Sequence, residues 1–342
     1  MTFAVDIHSH FLPEKWPDLA ERFGTPDWPW MKQLGGGKAM LMLGDKEFRP
    51  VLNDCWDGAR RIEAMDAHGI DVQVMSATPL LFAYGRPPEQ AAEVARLFNS
   101  AAREICAHDP KRLKSLCQVP LQDTDRACAE LDRAMTEGHI GVQIGNHVDD
   151  RNLDDAGIIT FLHHCADVGA AVLVHPWDMM AQQRMPRYMM SWLVGMPAET
   201  QLSILSLILS GAFEKLPRNL RICFAHGGGS FAFLLGRVDN AWRHRDIVRV
   251  DCPNPPSSYT DRFYVDSAVF NEDALAMLVK VMGEDRVVLG SDYPFPLGEQ
   301  IVGQMIREDQ AISPSLRAKL MGTNAARLFN LNGTGPTSPE TL

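Results

Sequence analysis

A chain of 342 residues with 46% hydrophobic and 22% charged side chains has an ordinary globular balance and is long enough for a (β/α)8 barrel with insertions. Its formal net charge of −10 would repel a polyanion, which argues against nucleic acid as a partner. No apolar run of about 18 residues and no charged-then-apolar leader stand out, so a cytoplasmic protein without membrane contact is expected.

In chain order, short β-branched or apolar runs alternate with longer helical patterns, the signature of repeated βα units. The runs are Phe3 to Ile7, Asp71 to Ala77, Ser115 to Val119, Ile140 to Ile144, Ala171 to Val174, Arg221 to Ala225, Arg262 to Ser267 and Arg286 to Gly290. Helical patterns cover Ala59 to Gly69, Pro88 to Ala107, Asp123 to Gly138, Leu153 to Gly169, Ala198 to Leu216, Ser230 to Val248 and Glu272 to Met282, with two shorter ones near Ser313 to Leu320 and Asn324 to Phe329. Eight strands with crossover helices predict an α/β fold, a (β/α)8 TIM-type barrel in a single domain over residues 1–331; an open doubly wound sheet is the alternative. Residues 332–342, rich in Gly, Pro, Ser and Thr, read as a loose tail.

Two connections are too long for simple loops. Residues 11–57 predict a small β-containing insertion over the barrel mouth, with Ala39 to Leu43 and Glu47 to Val51 flanking a Gly44-Asp45 turn. The second, Pro176 to Pro197, is rich in Met and carries Trp177 and Trp192. Helix Ala198 to Leu216 is apolar on most sides, which predicts either a partner subunit or burial under that insertion. Seven cysteines, with no CxxC pair, read as free thiols in a reducing compartment.

The chemistry concentrates where the strands end. His8 and His10, at i and i+2, share one face of an extended segment. His175, His226 and Asp292 end later strands, where barrel active sites are built. Three imidazoles and a carboxylate suit a borderline ion such as Zn²⁺, with a position left for water. His226 opens a His-Gly-Gly-Gly run that would let the backbone approach a ligand; it serves either as acid/base catalyst beside the metal or as a further ligand. The remaining histidines, His139 among them, fall in helices or helix ends and read as surface or capping residues. Arg49 either reaches over the mouth to hold an anion or is a surface charge. Arg237 shares an apolar helix stripe with Phe233 and Ala241, which points to an interface or a site.

The segments DIHSHF, FRPV, LVHPWDMM, CFAHGGGSFAFLLGRVDNAWRHRDIVR and VVLGSDYPFPLGEQ resemble the amidohydrolase superfamily, and within it the non-oxidative decarboxylases of unsaturated amino-dicarboxylate semialdehydes. The resemblance implies Zn²⁺ on His8, His10, His175 and Asp292, with His226 as the catalytic histidine. It implies that Arg49 binds a substrate carboxylate and that Arg237 reaches the neighbouring subunit's site in a homodimer. Phe295 and Trp192 would line the pocket of a small anionic substrate. A hydrolase of a lactone or amide, a decarboxylase of a related carboxylated muconate or aromatic acid, and a non-catalytic metal scaffold are the competing functions.

Overall fold

The computed structural model describes residues 2–331, so the tail expected over 332–342 lies outside the described residues. The fold is α/β. Eight parallel strands run in chain order: β1 (Val5–Phe11), β2 (Val72–Ala77) and β3 (Leu113–Ser115) form one sheet, and β4 (Gly141–Gly145), β5 (Ala171–His175), β6 (Arg221–Phe224), β7 (Tyr264–Asp266) and β8 (Val287–Val288) form another. Hydrogen bonds join the two sheets at both edges. Cys117 N donates to Gly141 O (2.9 Å) and Gln143 N to Cys117 O (2.8 Å) beyond β3, while Ile7 N donates to Leu289 O (3.0 Å) and His10 N to Tyr293 O (2.7 Å) beyond β8. These strands are buried on both faces, as near-continuous apolar runs require.

Helices fill the connections, including Gly58–His68, Pro88–Cys106, Thr124–Thr136, Ala156–Asp167, Phe231–His244 and Glu272–Met282. Several start where an Asp or Asn side chain accepts from the first turn: Asp57, Asp123, Asp155 and Asn271. Toward the strands' starting ends, Val5, Ile7, Val74, Leu173 and Val288 pack against Ala325, Leu328 and Phe329 of the last helix.

The segment before the first long helix holds a three-stranded antiparallel sheet, Pro29–Gly35, Lys38–Leu43 and Lys46–Leu52. The turn at Gly44-Asp45 is present, while the strand Pro29–Gly35 and a short helix Leu19–Phe23 were not expected. The sheet's Ala39, Leu41 and Val51 pack with Phe11, Ala77, Leu81 and Phe295. Phe11 and Ala77 are the last residues of β1 and β2, and Leu81 and Phe295 come after strand ends, so this sheet lies beside those ends.

Several expectations are corrected. The first strand does not stop at Ile7 but continues through His8 and His10 to Phe11. The helix expected over Ala198 to Leu216 breaks at Gly211, where φ is 70° and a Cβ would lie 2.3 Å from the Asp251 carbonyl oxygen. A π-helical stretch, Ser191–Gly195, instead precedes Met196–Leu209. The combined helix Ser191–Leu209 is by length and composition apolar enough to cross a membrane, contrary to the reading that no such run exists. Its inward face carries a buried carboxylate: Glu199 accepts from Asn146 Nδ2 (2.9 Å) and from Met180 N (2.7 Å). Leu193, Val194 and Leu202 remain exposed on the other side, so the second insertion does not cover this helix completely. His139 is buried rather than superficial, bonded through Nδ1 to Ser115 Oγ at 3.0 Å.

Candidate metal centre

Five of the residues singled out by position come together. One donor atom from each of His8, His175, His226 and Asp292 lies within 4.8 Å of the others. His10 joins the same cluster, with Nε2 3.3 Å from His8 Nε2 and 3.1 Å from Asp292 Oδ1. His8, His10 and His175 are buried, and their rings stand edge to face at 4.9–5.1 Å. His226 is the outermost histidine, its side chain 13% exposed and its Nε2 3.8 Å from Asp292 Oδ2. Both His226 and Asp292 adopt left-handed backbone conformations, φ 55° and 61°. Non-glycine residues in that region cost on the order of 1–3 kcal/mol, and such strain collects at functional sites.

His175 carries the clearest signature of a missing partner. Its Nδ1 lies 2.7 Å from the Pro176 carbonyl oxygen, which fixes the proton on Nδ1 and leaves the lone pair on Nε2. That Nε2 is buried and has no hydrogen-bond partner. An unmet buried acceptor is costly, and a divalent cation would satisfy it. Burial, reinforced by the neighbouring histidines, holds the His175 imidazole well below its ordinary pKa and therefore neutral. The donor set of imidazoles with one carboxylate fits a divalent transition metal.

The sequence reading missed the group behind His8. Asp266, at the end of β7, accepts from His8 Nδ1 at 2.6 Å and also from Gly227 N (2.8 Å) and Ala268 N (3.1 Å). A carboxylate behind a ligand histidine orients the ring and raises its basicity. Its position matched that of the other site residues, at the end of a predicted strand, but it lacks a neighbouring motif. Gly290 makes room for the pair, since a Cβ there would lie 2.7 Å from Asp266 Cβ and 2.9 Å from His8 Cβ. The glycines after His226 serve packing rather than a ligand: a Cβ on Gly229 would meet the Pro197 carbonyl oxygen at 2.2 Å.

Electrostatics divide the histidines. Burial pushes His10 down to about 4 against the pull of Asp292. Burial also acts on His8, but the Asp266 hydrogen bond and charge outweigh it and hold the ring up at about 8. Burial alone would raise Asp292; the close contact with His10 and the neighbouring His226 and His8 keep it ionised, well below the usual carboxylate range. A metal must displace the proton from His8 Nε2, whereas His10 and His175 are already neutral. Apparent metal affinity should therefore rise about tenfold per pH unit up to about 8 and level off above it. Calorimetric titration of the ion at pH 7 in buffers of different ionisation enthalpy should register close to one proton released; uptake without proton release would contradict this protonation scheme.

Around the cluster, Phe295 stacks on His10 at 5.5 Å, and the Arg49 guanidinium sits 4.3 Å from the Phe295 ring centroid. Arg49 is half-buried in strand Lys46–Leu52 and forms no ion pair among the described residues. Burial lowers its pKa, and the charge of Asp292 opposes that shift. Two expected site residues are not brought in. Arg237 is exposed on helix Phe231–His244 without an ion pair or hydrogen bond, and Trp192 is half-buried in Ser191–Gly195 with no ring contact to the cluster, among the described residues.

The sequence profile of the amidohydrolase family matches residues 5–331. A 2-amino-3-carboxymuconate-6-semialdehyde decarboxylase from Dictyostelium discoideum is 42% identical over 330 residues, covering 96% of this chain and 92% of its own length. The apo IDCase of Metarhizium anisopliae superposes with a TM-score of 0.83 at 21% identity, covering 97% and 98% of the two chains. A dihydroxybenzoic acid decarboxylase from Polaromonas sp. JS666, solved with manganese and 2-nitroresorcinol, gives a TM-score of 0.76 at 23% identity over 97% and 98%. With a family profile spanning nearly all the described residues and a relative this similar over almost its full length, the chain belongs to the amidohydrolase family.

Proposed function

We propose that the chain is a metal-dependent carboxy-lyase that releases CO2 from 2-amino-3-carboxymuconate 6-semialdehyde and leaves 2-aminomuconate 6-semialdehyde. The ion is Zn²⁺, held by His8, His10, His175 and Asp292. The fold is a (β/α)8 barrel closed through the hydrogen bonds at both sheet edges, with the small antiparallel sheet as an insertion at its mouth. The observation that carries the reading is the unpaired, buried Nε2 of His175 inside a five-group cluster, in a chain 42% identical to a decarboxylase of that substrate.

When bound, the ion supplies Lewis acidity and can lower the pKa of a water to about 7. The protein groups do the rest. Loss of CO2 breaks the bond between carboxylate and ring-opened chain, and the electron pair stays on the carbon, which must take up one proton. His226, outermost in the cluster and 3.8 Å from Asp292, is the group suited to hold and deliver that proton. The unpaired Arg49 offers a cation for a substrate carboxylate in a protein of net charge −10, and Phe295 stacks beneath it. Asp292 stays ionised and so serves both the ion and His226.

The exposed Arg237, one turn from the exposed Phe233, and the exposed Leu193, Val194 and Leu202 of Ser191–Leu209 support a homodimer in which each Arg237 binds a carboxylate in the partner's site. Trp192 would line the pocket. All seven cysteines are free, which supports a reducing, cytoplasmic setting.

The test is CO2 release by the purified protein from the muconate semialdehyde, from a dihydroxybenzoate, and ester hydrolysis of a lactone. The semialdehyde should be the substrate, with turnover lost on chelation and restored by Zn²⁺. Turnover of the lactone, or CO2 from the dihydroxybenzoate alone, would replace this function with a hydrolase or an aromatic acid decarboxylase.

A further inference from the structure

Beneath the histidine cluster lies a buried cation that the reaction does not use. Arg61, on helix Gly58–His68, is completely buried, yet no carboxylate among the described residues pairs with it. An unpaired buried charge is costly unless hydrogen bonds offset its desolvation. Here the guanidinium is spent on neutral acceptors beside the site. Nη2 donates to the His10 carbonyl oxygen, and Nη1 donates to Gln73 Oε1 at 2.8 Å and approaches Ser9 Oγ at 3.4 Å. The plane lies 5.5 Å from the Tyr293 ring, next in sequence to Asp292.

Gln73 passes the contact on, its Nε2 donating to Asp6 Oδ2 at 3.1 Å. The buried Asp6 accepts from His8 N (3.3 Å), Ser291 N (3.1 Å) and Ser291 Oγ (2.7 Å). One chain of hydrogen bonds thus grips the backbone at His8, at His10 and immediately before Asp292. The need for it is local. The β1–β2 pairing shifts between Asp6 and Ser9, where Ile7 and His8 on β1 face Val74 alone on β2. Such a bulge re-aims side chains and leaves backbone groups without ladder partners. Arg61 fastens the strand just past the bulge, at the His10 carbonyl.

We propose that Arg61, linked through Gln73 to Asp6, is a positioning residue that holds β1 in the bulged register its metal ligands need. This rests on the metal reading above. A role in stability alone would not discriminate between metal-free and metal-bound protein; a positioning role does.

Metal-free wild type, Arg61→Met, Arg61→Lys, Gln73→Leu and the exposed neighbour variant Arg60→Met are titrated with Zn²⁺ against a chelating indicator, with the melting temperature of each metal-free protein measured in parallel. Gln73→Leu and Arg61→Met should bind Zn²⁺ roughly 10- to 100-fold more weakly, the range for losing an outer partner of a ligand. Arg61→Lys, which keeps one donor to the carbonyl, should recover part of the loss, and Arg60→Met should match wild type. If Arg61→Met does not fold, Gln73→Leu decides. Folded Gln73→Leu with wild-type Zn²⁺ affinity would overturn the inference while leaving the metal centre intact. Wild type that takes up no divalent ion would overturn the metal reading and this inference together.

Discussion

His175→Ala should abolish metal binding and CO2 release together. The ring contributes a neutral Nε2 with no other partner, so its loss removes one of the donors that the ion needs. The affinity loss should exceed the roughly 10- to 100-fold typical of an outer partner. Stability separates this from simple unfolding. Without the ion, Nε2 of His175 is an unmet buried acceptor costing about 1–3 kcal/mol, so the metal-free variant should melt close to metal-free wild type. Added Zn²⁺ should raise the wild-type melting temperature by mass action and leave that of the variant unchanged. Elemental analysis, CO2 release and paired melting curves measure all three. A His175→Ala protein with stoichiometric metal and full turnover would remove it from the ligand set.

Much of this centre could be read from the chain. The alternation in Asp6-Ile7-His8-Ser9-His10 and the apolar runs leading into His175 and His226 put titratable groups at strand ends, and the structure joins all of them with Asp292. Arg49 was legible as a cation after a hairpin, and it does sit over Phe295. The supporting groups were not legible. Arg60 and Arg61 are adjacent and chemically alike, yet one is exposed and pairs with Glu63 while the other is fully buried under β1. The helical period gives the side they face, not what lies there. Asp6 and Asp266 looked like ordinary strand residues because their partners, Ser291 and His8, are separated from them by more than 250 residues. The bulge in β1 depends on pairing with β2 and has no signal in β1 alone. The long apolar helix was legible as unusual, but the close approach of the Asp251 backbone to Gly211, where it breaks, is a tertiary contact with no local signal.

His226→Ala should keep the metal and lose turnover by about 10²- to 10⁴-fold, the range for a general acid/base. The geometry leaves a real competitor, because the tight four-atom group contains His226, and His10 reaches the cluster through His8 and Asp292. Position separates the two roles. His10 is buried at the base, its carbonyl held by Arg61, whereas His226 is the more exposed ring and strained in backbone. A ligand lost from the base releases the ion; a proton carrier lost from the rim does not. Metal content of the purified variant decides it, and loss of the ion from His226→Ala would make it a ligand. The same variant tests the shared site. Mixed with Arg237→Ala under confirmed subunit exchange, it should recover activity. In a mixed dimer one site takes His226 from the Arg237→Ala chain and Arg237 from the His226→Ala chain, while the second site carries both lesions. Activity per mixed dimer should therefore approach half that of wild type. Verified mixed dimers without recovery would mean that Arg237 acts within its own chain or that the sites are not shared, and full turnover by a diluted monomer would refute the shared site more simply.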